Sequence, residues 1–404
     1  MRLRHLTPLL LAFSVFAGSG AAQANPALLF DIKTGEVLEH KEAFRRWHPA
    51  SLTKLMTAYT AFRAVDAGEL TLQSPIRVSR HAASMPPAKM GYKPGSVMTL
   101  DNALKMIMVK SANDIAMAIG ENVGGSESAF AARMNAEAAR LGMTGSHWVN
   151  PNGLHDPNQY TTARDLAILV RAIRTEYPQY ATYFNIDGIV VGKKVLKTFN
   201  TLMGRFPGAD GMKTGFVCAS GFNLIGSATR DGHTLGAIVL GAPSPDERAE
   251  EAARMLIKGF DNRPANLPQL ASLAPYGDKQ AETTDMRDVV CSPKTAHKAS
   301  DGPQETDQPD VAVTQAPSPS VLTALAPAQH LETVGLGGAL GPVPKAMQNA
   351  NGDAVADVPI PSWRPDIPAP GLKEPLAQGD NEVDEKPAAP SPTGRGDRLV
   401  KQPS

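Results

Sequence analysis

Residues 221–241, GFNLIGSATRDGHTLGAIVLG, are two apolar runs that meet at Asp231-Gly232. That dipeptide favours a two-residue hairpin turn, so the stretch is expected to form two paired strands. Another hairpin is expected nearly 200 residues upstream, in ALLFDIKTGEVLEH at 27–40. There Leu28, Phe30 and Ile32 alternate onto one face, and KTG turns the chain. Between the hairpins the periodicity is helical. After Ser51, the residues Leu52, Leu55, Met56, Tyr59 and Phe62 share one side. Residues 101–119 and 126–141 and the run TTARDLAILVRAIRTEY also read as helices. SPDERAEEAARMLIKGF, 244–260, closes the region as a helix capped by Ser244 or Asp246, burying Ala252, Met255, Leu256 and Phe260. Strands at both ends with helices between them imply an α+β domain whose sheet draws on both ends of the segment. The domain spans 25–262, an ordinary size for one core.

The flanks differ in kind. MRLRHLTPLLLAFSVFAGSGAAQANP places Arg2 and Arg4 before an apolar run from Leu9 to Ala17, and Ala22-Gln23-Ala24 has a small-x-small form. Residues 1–24 are read as a secretory signal peptide, which places the mature protein outside the cytoplasm, in the periplasm or at the cell wall. The apolar run is shorter than the roughly 20 residues a membrane span needs. From residue 263 most of the 34 prolines accumulate, and Tyr276 and Trp363 are the remaining aromatics. Residues 263–404 are therefore expected to be a Pro/Ala-rich low-complexity tail, mostly disordered, because little apolar burial offsets its ordering entropy. The stretch DMRDVVCSPK at 285–294 is the exception and is expected to dock on the body. The C-terminus shows no clear amphipathic helix, which argues against a membrane-surface anchor there. Lys plus Arg and Asp plus Glu number 40 each, so no basic field exists to hold nucleic acid. Export permits a disulfide between the two cysteines, Cys218 and Cys291.

Chemistry enters at residues 48–62, HPASLTKLMTAYTAF, where Ser51 precedes Lys54 by three positions. Such a pair shares one helix face. A neutral amine there would take the serine proton and make a nucleophile, provided burial and a second cation suppress the lysine's charge. The competing reading makes Ser51 an N-cap and Lys54 a solvated side chain. Two further sites shift the balance. KSANDIAMAIGE holds Ser111 and Asn113, which fit a loop just before a helix, although Asn113 or Asp114 would also serve as its cap. GADGMKTGFVCASG holds Lys213-Thr214-Gly215 before a strand. A lone KTG says little, since it recurs at 33–35. S-x-x-K, S-x-N and K-T-G in this order, about 60 and then 100 residues apart, are far more specific.

PASLTKLMTAYTAF, MGYKPGSVMTLDNALKMIMVKSANDIA, VNPNGLHDPNQYTTARDLAIL and GADGMKTGFVCASGFNLIGSATR together resemble the D-alanyl-D-alanine carboxypeptidases, the low-molecular-weight penicillin-binding proteins. The likeness covers essentially all of 25–262. It implies a β-lactamase/transpeptidase-like fold: an antiparallel sheet flanked by helices, beside an all-helical lobe, with the site between them. It implies that Ser51 is acylated, that Lys54 is its general base, and that Ser111 relays a proton to the leaving group. Asn113 would bind the substrate peptide, and Lys213 with Thr214 its terminal carboxylate. Gly215 would let substrate backbone lie against the strand. The N–H groups of Ser51 and Phe216 would form an oxyanion hole. The implied substrates are peptidoglycan stem peptides, with β-lactams as inhibitors and no metal or cofactor. The nine histidines form no convincing ligand set, and His147 and His155 are expected to hold a loop.

The family usually continues into a small β-rich domain and an amphipathic anchor, where this chain carries its tail, whose partners the sequence does not reveal. A Cys218–Cys291 disulfide is expected to pin the start of that tail to the body. Three other activities compete. A D,D-endopeptidase would use the same residues on cross-links. A class A β-lactamase would need a glutamate between the second and third motifs, and NPNGLHDPNQYTTARDLA has none. An inactive cell-wall-binding scaffold would not need Ser51, Lys54 and Lys213.

Overall fold

The computed structural model of the chain describes residues 25–277, 280–292 and 320–348. The expected signal peptide, and the parts of the expected tail at 293–319 and 349–404, lie outside the described residues.

The main sheet has five antiparallel strands in the order β2-β1-β9-β8-β7. β1 (Ala27–Asp31) and β2 (Val37–Lys41) form the first hairpin, while β7 (Ala209–Val217), β8 (Gly221–Arg230) and β9 (His233–Ala242) form a meander. Both ends of the domain therefore supply the sheet, joined where β1 pairs with β9. Each turn has its chemistry. Asp31 Oδ1 accepts from the N–H groups of Lys33 and Thr34, which folds the first turn. At the second, Arg230 faces His233, and Asp231 and Gly232 adopt φ +50° and +79°, the handedness a primed turn requires. β8 and β9 are each buried over eight consecutive residues. Such strands are covered on both faces. α7 (Pro245–Asp261) packs on β8 and β9, and α6 (Ala163–Glu176) packs on β9 and β1.

The helical lobe contains α1 (Thr53–Asp66), α3 (Leu100–Val109), α4 (Asn113–Gly124) and α5 (Glu127–Leu141), with the short α2 (Arg80–Ser84) and the β3 (Pro75–Arg77)–β4 (Val97–Thr99) ladder at its edge. α1 is its centre: Leu55, Met56, Ala58, Tyr59, Ala61 and Phe62 are fully buried, and the helix touches α3, α4, α5 and α6. Ser126 and Thr162 cap α5 and α6 through their side chains, and Ser244 caps α7. The helix expected over 101–119 is two helices, broken at Lys110–Ala112, where Ser111 sits at φ +57°.

Three described pieces beyond 262, residues 264–277, 280–292 and 320–348, pack on the body. Residues 264–277 lie along β2, with Val37 donating to the Pro268 carbonyl and Leu270 buried. α8 (Arg287–Val290) sits beside β8. Residues 320–348 form a strap. Val321 N–H bonds Glu250 on α7, and Thr323 and Ala326 bond the 204–205 turn. β10 (Leu331–Thr333) then runs parallel to β5 (Gly188–Val191), which pairs with β6 (Lys194–Lys197). The strap continues onto the helical lobe. Glu332 meets Lys105 of α3 at 2.9 Å, and Gly337 bonds the Val97 carbonyl. A few apolar side chains, Leu322, Val334, Ala339 and Met347, hold it down. Backbone hydrogen bonds and those contacts hold a segment that the Pro-rich character of the whole stretch assigns to a tail.

Candidate active site

Ser51 lies in a one-turn 3-10 helix, Ala50–Leu52, that runs directly into α1. Its hydroxyl does not cap the helix: neither the turn nor α1 has a side-chain cap. It faces Lys54 instead, with Nζ 2.9 Å from Oγ. Lys54 is fully buried, and its Nζ also donates to Asn113 Oδ1 at 2.8 Å and to the Asn152 carbonyl at 2.5 Å. Carbonyl oxygens can only accept. Two such oxygens and the Ser51 hydroxyl thus lie within hydrogen-bond reach of one amine.

Asn113 reaches Lys54 because the loop before α4 is clamped. Its N–H bonds the Ala88 carbonyl at 2.8 Å, and its Nδ2 bonds the Pro86 carbonyl at 3.0 Å. That second bond fixes which side-chain atom is oxygen. Asp114, fully buried, accepts from the N–H groups of Met90 and Gly91 and so holds the clamping loop. Ala112 is the cap residue of α4, not Asn113 or Asp114. Ser111, whose left-handed backbone turns it out of the helical path, meets Lys213 Nζ at 3.1 Å. Lys213 is 2% exposed and also donates to the Thr214 carbonyl. The S-x-N loop thus contacts both lysines.

Lys213, Thr214, Gly215 and Phe216 follow one another on β7, an edge strand of the sheet. Gly215 serves the chain's own packing. A Cβ there would lie 3.0 Å from the nitrogens of Ser51 and Leu52 and from the Pro49 oxygen, so glycine lets β7 rest this close to the nucleophile turn without displacing it. Phe216 stacks on Phe222 of β8 with centroids 4.2 Å apart.

The 149–159 loop supplies what the motifs do not reveal. Its Asn152 carbonyl meets Lys54, and its Pro151 carbonyl accepts from Thr57 at 2.6 Å. Gln159 ties the loop together: its Oε1 accepts from the N–H groups of Val149 and Asn150, and its Nε2 donates to Asn150. Gly153, at φ +85°, sits directly under the Ala50 carbonyl. Ala50 itself has φ +48°, a costly conformation for a residue with a Cβ. His147 Nδ1 meets the Asn158 carbonyl within this loop, and the ring of His155 packs edge-on against His48. Burial holds His48 below its ordinary pKa, against the hydrogen bond to the Gln159 carbonyl.

Cys218, one residue past β7, is bonded to Cys291, with Cα atoms 5.6 Å apart. Among the described residues no cluster of three or more His, Cys, Asp or Glu side chains is arranged to hold a metal ion.

A sheet edge, a helical lobe and a serine served by a lysine one turn along define the class of active-site serine enzymes built on S-x-x-K, S-x-N and K-T-G. A profile of the D-alanyl-D-alanine carboxypeptidase family, Peptidase_S11, matches residues 14–244, more than half of the chain. The chain belongs to that family. It is similar to the D-alanyl-D-alanine carboxypeptidase DacF of Bacillus subtilis, 34% identical over 59% of this chain and 63% of that protein. It is also similar to DacC of Escherichia coli, 32% identical over 59% of this chain and 62% of that one. It thus spans less than two thirds of these relatives. Penicillin-binding protein 5 of Haemophilus influenzae superposes with a TM-score of 0.57 at 28% identity, over 64% of this chain and 73% of that one. Penicillin-binding protein D2 of Listeria monocytogenes, in its cefotaxime-bound form, gives 0.54 at 29% identity over 59% and 97%.

Proposed function

We propose that the protein is a serine D,D-carboxypeptidase that removes the terminal D-Ala from peptidoglycan stem pentapeptides outside the cytoplasm. The observation that carries this reading is the buried Lys54 amine, 2.9 Å from Ser51 Oγ and within reach of the Asn113 and Asn152 oxygens. Burial disfavours the charged form of such an amine, and a second buried amine, Lys213, shares the same S-x-N loop. Neutral Lys54 takes the Ser51 proton as Oγ attacks the carbonyl of the penultimate D-Ala. The N–H groups of Ser51 and Phe216 receive the developing oxyanion; one such donor is worth about 2.7–4 kcal/mol in the transition state. Lys213 and Thr214 hold the terminal carboxylate, and Asn113 the peptide. The proton returns through Ser111 to the departing amine, and water then releases the acyl group from Ser51.

A β-lactam amide resembles the scissile bond and would acylate Ser51 in the same way. Labelling with a fluorescent penicillin, with Ser51→Ala as control, tests the nucleophile. Incubation with pentapeptide muropeptides and with cross-linked dimers then separates removal of D-Ala from cleavage of cross-links. Absence of labelling in the intact protein would refute the reading. Dimer cleavage without D-Ala release would make the protein an endopeptidase. Among the described residues no helix is long and apolar enough to cross a membrane.

A further inference from the structure

We infer that residues 284–291, stapled to the end of β7 by the Cys218–Cys291 bond, form the outer wall of the cleft and contact the part of the stem peptide that precedes D-Ala-D-Ala. The inference rests on the carboxypeptidase reading above.

Fixed points along β7 set the direction of the bound peptide. Lys213, at the inner end, is the cation for the terminal carboxylate. The Ser51 turn rests on Gly215, two residues on, where an added Cβ would be 3.0 Å from Ser51 N. A peptide with its carboxylate at 213–214 and its reacting carbonyl at 215–216 therefore runs antiparallel to the strand. Its preceding residues pass Val217 and Cys218. β7 is a sheet edge, the place where an extended peptide adds as a strand.

At that end of β7 stands a segment from 70 residues downstream. Cys291 is bonded to Cys218, and Met286 N–H bonds the Ala219 carbonyl at 3.1 Å. Thr284, Met286 and Val290 point into the body, whereas Asp285, Arg287, Asp288 and Val289 are exposed. The segment is thus fixed underneath and open above. Arg287 pairs with Asp285 at 2.5 Å, and both lie close enough to His48 to act on its charge. His48 packs against His155, with ring centroids 4.7 Å apart, and His155 belongs to the loop that reaches Lys54. A polar rim therefore continues from the disulfide to the opposite side of the cleft. Such a rim would leave a substrate that stops at the penultimate D-Ala untouched and would engage a longer one.

The test uses the full-length oxidised protein and two substrates, N-acetyl-D-Ala-D-Ala and the complete stem pentapeptide, with D-Ala release as the readout. In Cys218→Ser/Cys291→Ser, KM for the pentapeptide should rise about tenfold, the size of one lost charge-assisted contact, while the short substrate stays within about twofold. Asp285→Ala/Arg287→Ala leaves the staple and the buried side chains in place and should reproduce a smaller shift, about threefold, again for the pentapeptide alone. Equal losses on both substrates, or no change in either variant, would overturn the wall. Fluorescent-penicillin labelling reads Ser51 separately: an unlabelled wild-type protein would sink the carboxypeptidase reading, whereas normal labelling without dependence on substrate length sinks only this inference.

Discussion

Gly153→Ala tests whether the 149–159 loop sets the position of the nucleophile. A Cβ at residue 153 would lie 1.9 Å from the Ala50 oxygen, 2.4 Å from its carbonyl carbon and 3.0 Å from Ser51 N. These are backbone atoms, and no rotamer relieves them. Restoring an ordinary contact of 3.4 Å from 1.9 Å requires the loop and the nucleophile turn to part by about 1.5 Å. Displacing a reacting group by about 1 Å costs on the order of 100-fold in rate. The substitution also places a Cβ at φ +85°, which adds about 1 kcal/mol of strain. Gly125→Ala isolates that last effect, because Gly125 has φ +87° and nothing within 4 Å of the added carbon. Stopped-flow acylation by a fluorescent penicillin, with thermal melting alongside, gives both quantities. Gly153→Ala should remain folded and acylate about 100-fold more slowly, whereas Gly125→Ala should melt lower and acylate normally. Acylation by Gly153→Ala within about threefold of wild type, or an equal loss in Gly125→Ala, would refute the packing argument.

Asn113→Asp places a carboxylate where Lys54 now donates to an amide oxygen at 2.8 Å; an opposite charge there favours the ammonium, which cannot take the Ser51 proton, so acylation by a fluorescent penicillin should slow about tenfold or more. Burial lowers the pKa of His48 from 6.5, so the unfolded chain binds the proton more readily; stability should be full above about pH 6.5 and fall as pH drops through that value, and His48→Gln should flatten this slope in chemical denaturation. Cys218→Ser/Cys291→Ser opens a crosslink spanning 73 residues, which chain entropy rates at about 4 kcal/mol, read as a lower midpoint in urea. Val334→Asp buries a charge in a position 1% exposed, between the strap and β5, and should lower Tm by several degrees while leaving penicillin acylation at Ser51 intact.

Much of this was legible in the residues because it is local. The Asp231-Gly232 turn and the alternating hairpin strands depend on neighbours in sequence, and the motif residues Lys54 and Asn113, and Ser111 and Lys213, meet by hydrogen bonds. What escaped is tertiary. Apolar periodicity runs through Ser111, and the S-x-N pattern alone hinted at a loop there; that Ser111 turns onto Lys213 of a distant strand could not be read from either. The partner that Asn152 offers Lys54 is a carbonyl, which every residue possesses, so no side-chain pattern announces it. The packing of Gly215 on the Ser51 turn is equally hidden, because a sequence does not show which backbone lies opposite. The strap was hidden because backbone pairing, the Glu332–Lys105 ion pair and scattered apolar contacts from Val321 to Met347 hold it, with no helix or strand period to announce them.

The strap also bears on where the gene can be cut. Composition marks codon 262 as the natural stop, yet a polypeptide ending there would lack β10 and would leave the backbone edge of β5 uncovered, a ready template for another chain. Soluble, well-behaved protein calls for a reading frame extending at least through Gln348, and a trimmed version that clumps would report a missing belt, not a faulty catalyst.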